Sequence, residues 1–139
     1  VTLANDAPAV SERLKWLFVP ASRAEILRQI EQSALPALQS VCETLRDEGW
    51  ANSRVDRDGD DVMLSVDLAP ERTMTYRVAP RSRPLAAYTA LEASEARRSI
   101  TWIMGAQTNG VGRYQDLTGF SADQIAGDVL TQLESRRER

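Results

Sequence analysis

Histidine is absent from this sequence, and cysteine occurs once, at position 42. A single cysteine forms no internal disulfide, which suits a reducing compartment. Without histidine there is no imidazole for zinc ligation or for a nucleophile–base pair of the usual kind. Long apolar runs are missing too: Trp16 to Val19 and Leu85 to Tyr88 reach four residues each, against the roughly 20 that a membrane-spanning helix needs. There is no secretory leader pattern at the start. The chain opens on Val1 instead of methionine, as expected of a segment cut from something longer or of a processed product. Nor is there an excess of positive charge: the formal net charge is −3, whereas a general nucleic-acid binder presents a strong positive field.

What remains is ordinary globular material. With 139 residues, 42% hydrophobic and 27% charged, the chain suits one domain with one core. Residues 1–10 read as a linker and 11–139 as a single α+β domain. Val10, Leu14, Leu17 and Phe18 recur at helical spacing before Pro20, which predicts a short amphipathic helix.

Ser22 and Glu25 form a capping box. Behind it Ile26, Ile30, Ala34, Leu38, Val41 and Leu45 make an apolar stripe that Gly49 closes. Pro36 interrupts the pattern and predicts a kink or break near Ser33 to Leu35. Cys42 borders the stripe and reads as a packing residue.

The period then changes to two. Val62, Leu64, Val66 and Leu68 predict a half-buried strand, with Asp58-Gly59 as the turn before it and Ser53 to Arg57 as its partner. Met74, Tyr76 and Val78 give a third strand, which Pro80 and Pro84 are expected to end. Leu85 to Arg98 reads as a loop or a short helix. Ile100, Trp102 and Met104 start a fourth strand, and Asn109-Gly110 predicts a hairpin returning over Val111 to Leu117. Ser121 with Gln124 forms a second capping box, and Phe120 with Ile125 a hydrophobic staple. The expected fold is an antiparallel sheet of about five strands, with a Pro-kinked N-terminal helix and a C-terminal helix on one face.

Signals for chemistry are weak. Asp56, Asp58 and Asp60 have alternate spacing, but numbered from Asp56 a calcium loop would need glycine where Asp61 stands and glutamate where Asp67 stands. Asp58, Asp60 and Asp61 read as a solvated hairpin tip. Gly105, Gly110 and Gly112 fit no phosphate-binding spacing and read as turn residues. Trp16, Trp50 and Trp102 read as core anchors, with an aromatic cage for a quaternary ammonium group as the sharper alternative. No catalytic, cofactor or metal residue is expected. The candidate contact residues are arginines: Arg81 and Arg83, Arg97 and Arg98, and Arg136, Arg137 and Arg139. They could meet anionic lipid headgroups or a protein partner.

The run from Tyr114 to Glu134 resembles the close of the long C-terminal tail in choline transporters of the betaine/choline/carnitine transporter family. Its helix, Gln124-Ile125-Ala126-Gly127-Asp128-Val129-Leu130-Thr131-Gln132-Leu133-Glu134, parallels a family helix reading roughly IGDILDQYERH. Leu35-Pro36-Ala37 through Gly49 resembles the tail's earlier helix, and residues 61–78 follow its strand pair. Leu133 stands where the family usually has tyrosine, and Ser135 to Arg139 lacks its aromatic, histidine-rich end.

The resemblance implies a regulatory domain on the cytoplasmic face of the inner membrane, attached to a transporter that imports quaternary ammonium osmolytes such as choline or glycine betaine. The substrate cage belongs to the family's membrane helices, so no substrate-binding residue is carried over. The implied partners are the membrane-embedded part of the same protein and anionic lipid, with homo-oligomerisation left open. The competing reading is a free-standing ligand-binding or adaptor module that uses the uncovered sheet face or an edge strand.

Overall fold

A computed structural model describes residues 20–50, 52–69, 72–84 and 100–137. The linker at 1–10, the helix expected before Pro20, the segment from Leu85 to Arg98, Trp16, Arg97, Arg98 and Arg139 lie outside the described residues.

Helix α1 (Arg23–Gln29) begins where Ser22 Oγ accepts from the Glu25 N–H at 3.1 Å. It runs through one π turn (Ile30–Ala34) into α2 (Leu35–Asp47). The expected disturbance at Pro36 is this π turn, in which the Leu35 N–H donates to the Ile30 carbonyl, one residue beyond the α-helical partner. Two causes coincide. Pro36 has no N–H to donate and its ring crowds the preceding turn. The buried residues Ile26, Ile30, Ala34 and Leu38 are also spaced by four, and in a regular α-helix that stripe drifts by about 40° per step. A wider turn takes up the drift and keeps both halves facing the core. Gly49, at φ +99°, ends α2 with paired bonds from Trp50 N–H to Leu45 O (2.8 Å) and Gly49 N–H to Arg46 O (3.1 Å). That is the Schellman closure.

The sheet follows as β1 (Arg54–Asp58), β2 (Asp61–Ala69), β3 (Arg72–Pro84), β4 (Ile100–Thr108) and β5 (Gln115–Asp116), antiparallel throughout and in chain order. Helix α3 (Ala122–Arg137) completes it. Ser121 Oγ accepts from the Gln124 N–H at 3.3 Å, and Gln124 Oε1 accepts from the Ser121 N–H at 2.8 Å. Val62, Leu64 and Val66, Met74, Tyr76 and Val78, and Met104 and Ala106 point to one face. There they meet Ile26, Ile30, Leu38, Val41 and Leu45 from the first helices and Ile125, Val129 and Leu133 from α3. The fold is α+β, with its helices on one side of the sheet.

Two boundaries differ from expectation. β3 does not end at Pro80 but continues to Pro84, with Pro80 opposite Met104. Met104 turns its backbone outward, its N–H to Thr118 Oγ1 (2.9 Å) and its carbonyl to the Leu117 N–H (2.7 Å). Pro80 therefore sits at a non-bonded position of the β3–β4 ladder, where its missing N–H removes nothing. Pairing with β2 reaches only as far as Val62 opposite Val78. Pro80 and Pro84 thus line a stretch of edge that no described strand covers.

The strand expected over Val111 to Leu117 shrinks to Gln115–Asp116. The chain turns at Asn109 and Gly110, as their positive φ values of 58° and 66° require. Asn109 then stays tied to β3, its N–H to Thr75 O (2.7 Å) and its Oδ1 accepting from the Thr75 N–H (2.8 Å). Gly112 takes a further positive φ of 81° and its carbonyl accepts from Gln107 Nε2. Residues 111–114 accordingly form a hydrogen-bonded loop.

Candidate functional site: the charged surface

Among the depressions of the described surface are open ones of about 440, 460, 390 and 400 Å³. Three of them adjoin, the first and fourth sharing Arg46 and the third and fourth sharing Asn52 and Asp67, while the second lies along α3 at Asp123 to Thr131. Among the described residues no group of three or more Cys, Asp or Glu side chains is placed to hold a metal ion. No described helix is long and apolar enough to cross a membrane.

The acids singled out in the sequence are spread over several arginines. Asp58 and Asp61 both face Arg77, at 3.3 and 2.5 Å. Asp60 pairs with Arg23 at the start of α1, and Asp56 with Arg54 at 3.3 Å. Hydrogen bonds that it donates to Asp61 and Asp58 hold the Arg77 guanidinium above its ordinary pKa. Glu31, in the π turn, meets Arg57 at 2.6 Å, and this hydrogen bond holds its carboxyl below the usual glutamate range. The tip of the β1–β2 hairpin is a charge network, not three free carboxylates. The periodicity did not reveal its partners, because Arg23, Glu31 and Arg77 come from elements far apart in the chain.

The tryptophans do not meet in a cage among the described residues. Trp50 and Trp102 are half-buried against the core, and each already carries an arginine. Arg137 lies over Trp50 at 5.1 Å and Arg23 over Trp102 at 5.7 Å.

The described arginine clusters occupy different ends of the molecule. Arg81 stacks on the Tyr114 ring at 4.0 Å, and Arg83 pairs with Asp116 at 3.2 Å. Gly105 makes room for that stack, since a Cβ there would lie 3.0 Å from Tyr114 Cδ1 and 3.3 Å from Arg81 Cγ. Arg136 gives its carbonyl to Arg72 Nη2 (2.7 Å), at the beginning of β3. From Arg72 to Arg81 the strand spans roughly 30 Å. The two clusters are therefore separate patches.

One polar contact reaches the core. Tyr76 is 1% exposed, and its Oη donates to Asp128 Oδ2 at 2.6 Å. Burial, then the bond to Asp128, pushes the phenol far above its ordinary range. Tyr76 falls on the core face of its strand, and a buried hydroxyl needs an acceptor. That much the alternation could have indicated, though not which acid. The arrangement positions α3 on the sheet, with the phenol held neutral.

No family model and no curated protein matches this sequence.

Proposed function

We propose that this domain is the cytosolic C-terminal regulatory domain of a membrane transporter that imports choline- or glycine betaine-like quaternary ammonium osmolytes, and that it adjusts uptake to osmotic conditions. The observation that carries the reading is the run from Tyr114 to Glu134, which resembles the end of the tail in the betaine/choline/carnitine transporter family. In this fold the run comprises β5, a capped turn and α3, and it supplies Leu117, Ile125, Val129 and Leu133 to the core. The similarity therefore falls on residues that build the domain.

The domain acts by contact and not by reaction. Arg81 and Arg83 at one end of β3, and Arg136 and Arg137 at the other, would meet anionic headgroups or the membrane-embedded part of the same protein, in exchange for present contacts such as Arg81 on Tyr114, Arg83 with Asp116 and Arg137 on Trp50. Exposed contacts of this kind weaken as ionic strength rises, because the screening length falls from about 10 Å at 0.1 M to about 3 Å at 1 M. A change in those contacts shifts the balance between tail positions.

The open reading frame that encodes the chain provides the first test, since a long apolar region upstream of Val1 is expected. The second is choline uptake against osmolality, with and without residues 11–139. Loss of osmotic activation is expected, and an unchanged activation curve would reject the regulatory role.

A further inference from the structure

Five of the seven ion pairs among the described residues involve the stretch from Arg54 to Asp61. β1 itself contributes little apolar surface: Val55 is half-buried, and the other four residues are charged and exposed. Each of those four is in an ion pair: Arg54 with Asp56 inside the strand itself, and Arg57 with Glu31 and Asp58 with Arg77 across to other elements, so that these last two hold the strand down. The helical layer grips the hairpin through Arg23 and Glu31, and the sheet grips it through Arg77. The other end of β1 is held differently. Ser53 is buried, its carbonyl accepts from Arg46 Nε at 2.9 Å, and its Oγ donates to the Trp50 carbonyl at 3.0 Å.

Apolar packing barely responds to moderate salt, whereas exposed ion pairs do. β2, β3 and β4 are held by buried side chains, so their attachment to the core is insensitive to ionic strength. β1 is held by its ladder to β2 and by charge.

We infer that β1 is an ionic-strength-sensitive flap. It is clamped at low salt and loosened selectively as salt rises, moving between two tethered ends, the buried Ser53 and the turn that joins Asp58 to Asp61 of β2. When it loosens, β2 loses its edge partner, and an uncovered edge is a template for another strand. This behaviour belongs to the chain's own charges and does not depend on what the domain is attached to. Its failure would leave the transporter reading standing, and the reverse also holds.

Amide hydrogen exchange of the 139-residue chain tests it, between about 0.05 M and about 0.5 M KCl and in sucrose of matching osmolality. Exchange in β1 is expected to accelerate about five- to tenfold with KCl, the combined effect of several exposed pairs, with β3 and β4 unchanged and no acceleration in sucrose. Salt-independent β1 exchange, or equal acceleration in every strand, would overturn the flap. Charge exchange gives a second readout. Glu31→Arg and Arg57→Glu should each speed β1 exchange at low salt, and the double variant should restore it; failure of the double variant to restore protection would overturn the clamp.

Discussion

The Tyr76 hydroxyl donates to the Asp128 carboxylate at 2.6 Å, joining the middle of the sheet to the middle of α3. Tyr76→Phe removes the donor, keeps the ring and leaves a half-buried carboxylate with water as its partner. A loss of about 1.5–3 kcal/mol is expected, the range for a hydrogen bond to a charged group. Urea denaturation measures it.

The same bond has a pH signature. The phenol's pKa is raised in the folded state, so its stabilising contribution is complete below the unfolded value of about 10 and declines as pH rises above it. The unfolded chain releases that proton first. Denaturant midpoints should fall more steeply above about pH 10 in the parent than in Tyr76→Phe, and equal slopes would contradict the assignment.

Glu31 carries the opposite sign. Its pKa is lowered by the hydrogen bond from Arg57, so the pair's contribution is present above the ordinary glutamate value of about 4.3 and is lost as pH falls through the lower folded value. NMR titration of its carboxyl should give a midpoint below that ordinary value. The midpoint should return toward it in Arg57→Gln.

Two glycines should respond in opposite directions to alanine. At Gly105 the new methyl would press on Tyr114, whose Cβ is 3.1 Å from the position a Cβ would take. Displacing the Arg81–Tyr114 stack should cost about 1–3 kcal/mol. At Gly127, on the exposed face of α3, nothing lies within 4 Å, and alanine should stabilise by about 0.5–1 kcal/mol. Thermal melts of the two variants decide the contrast.

Pro80→Thr restores an N–H on the stretch of β3 edge that no described strand covers. The folded monomer should keep its stability to within about 0.5 kcal/mol, as expected for a surface change. Size-exclusion chromatography should show a concentration-dependent dimer, and a monomer at all concentrations would count against an open edge.

The residues by themselves determined most of the scaffold, because local rules suffice for it. Serine caps with Gln124 or Glu25 three residues on, a glycine able to adopt φ +99° after α2, and a period of two in Val62, Leu64 and Val66 each act within a few positions. Pro36 also marked the right place, although a π turn relieves the strain there instead of a break. Long-range partners were beyond local reach. That β3 could pass through Pro80 depended on which way Met104 turned its backbone, and that Gly112 would end the hairpin strand early depended on Asn109 staying bound to Thr75. The pairing of Arg23, Glu31 and Arg77 with the hairpin, and of Tyr76 with Asp128, was settled only when sheet and helices closed on one core. Charge pairing is set by distance in space, and a linear pattern carries no record of that distance.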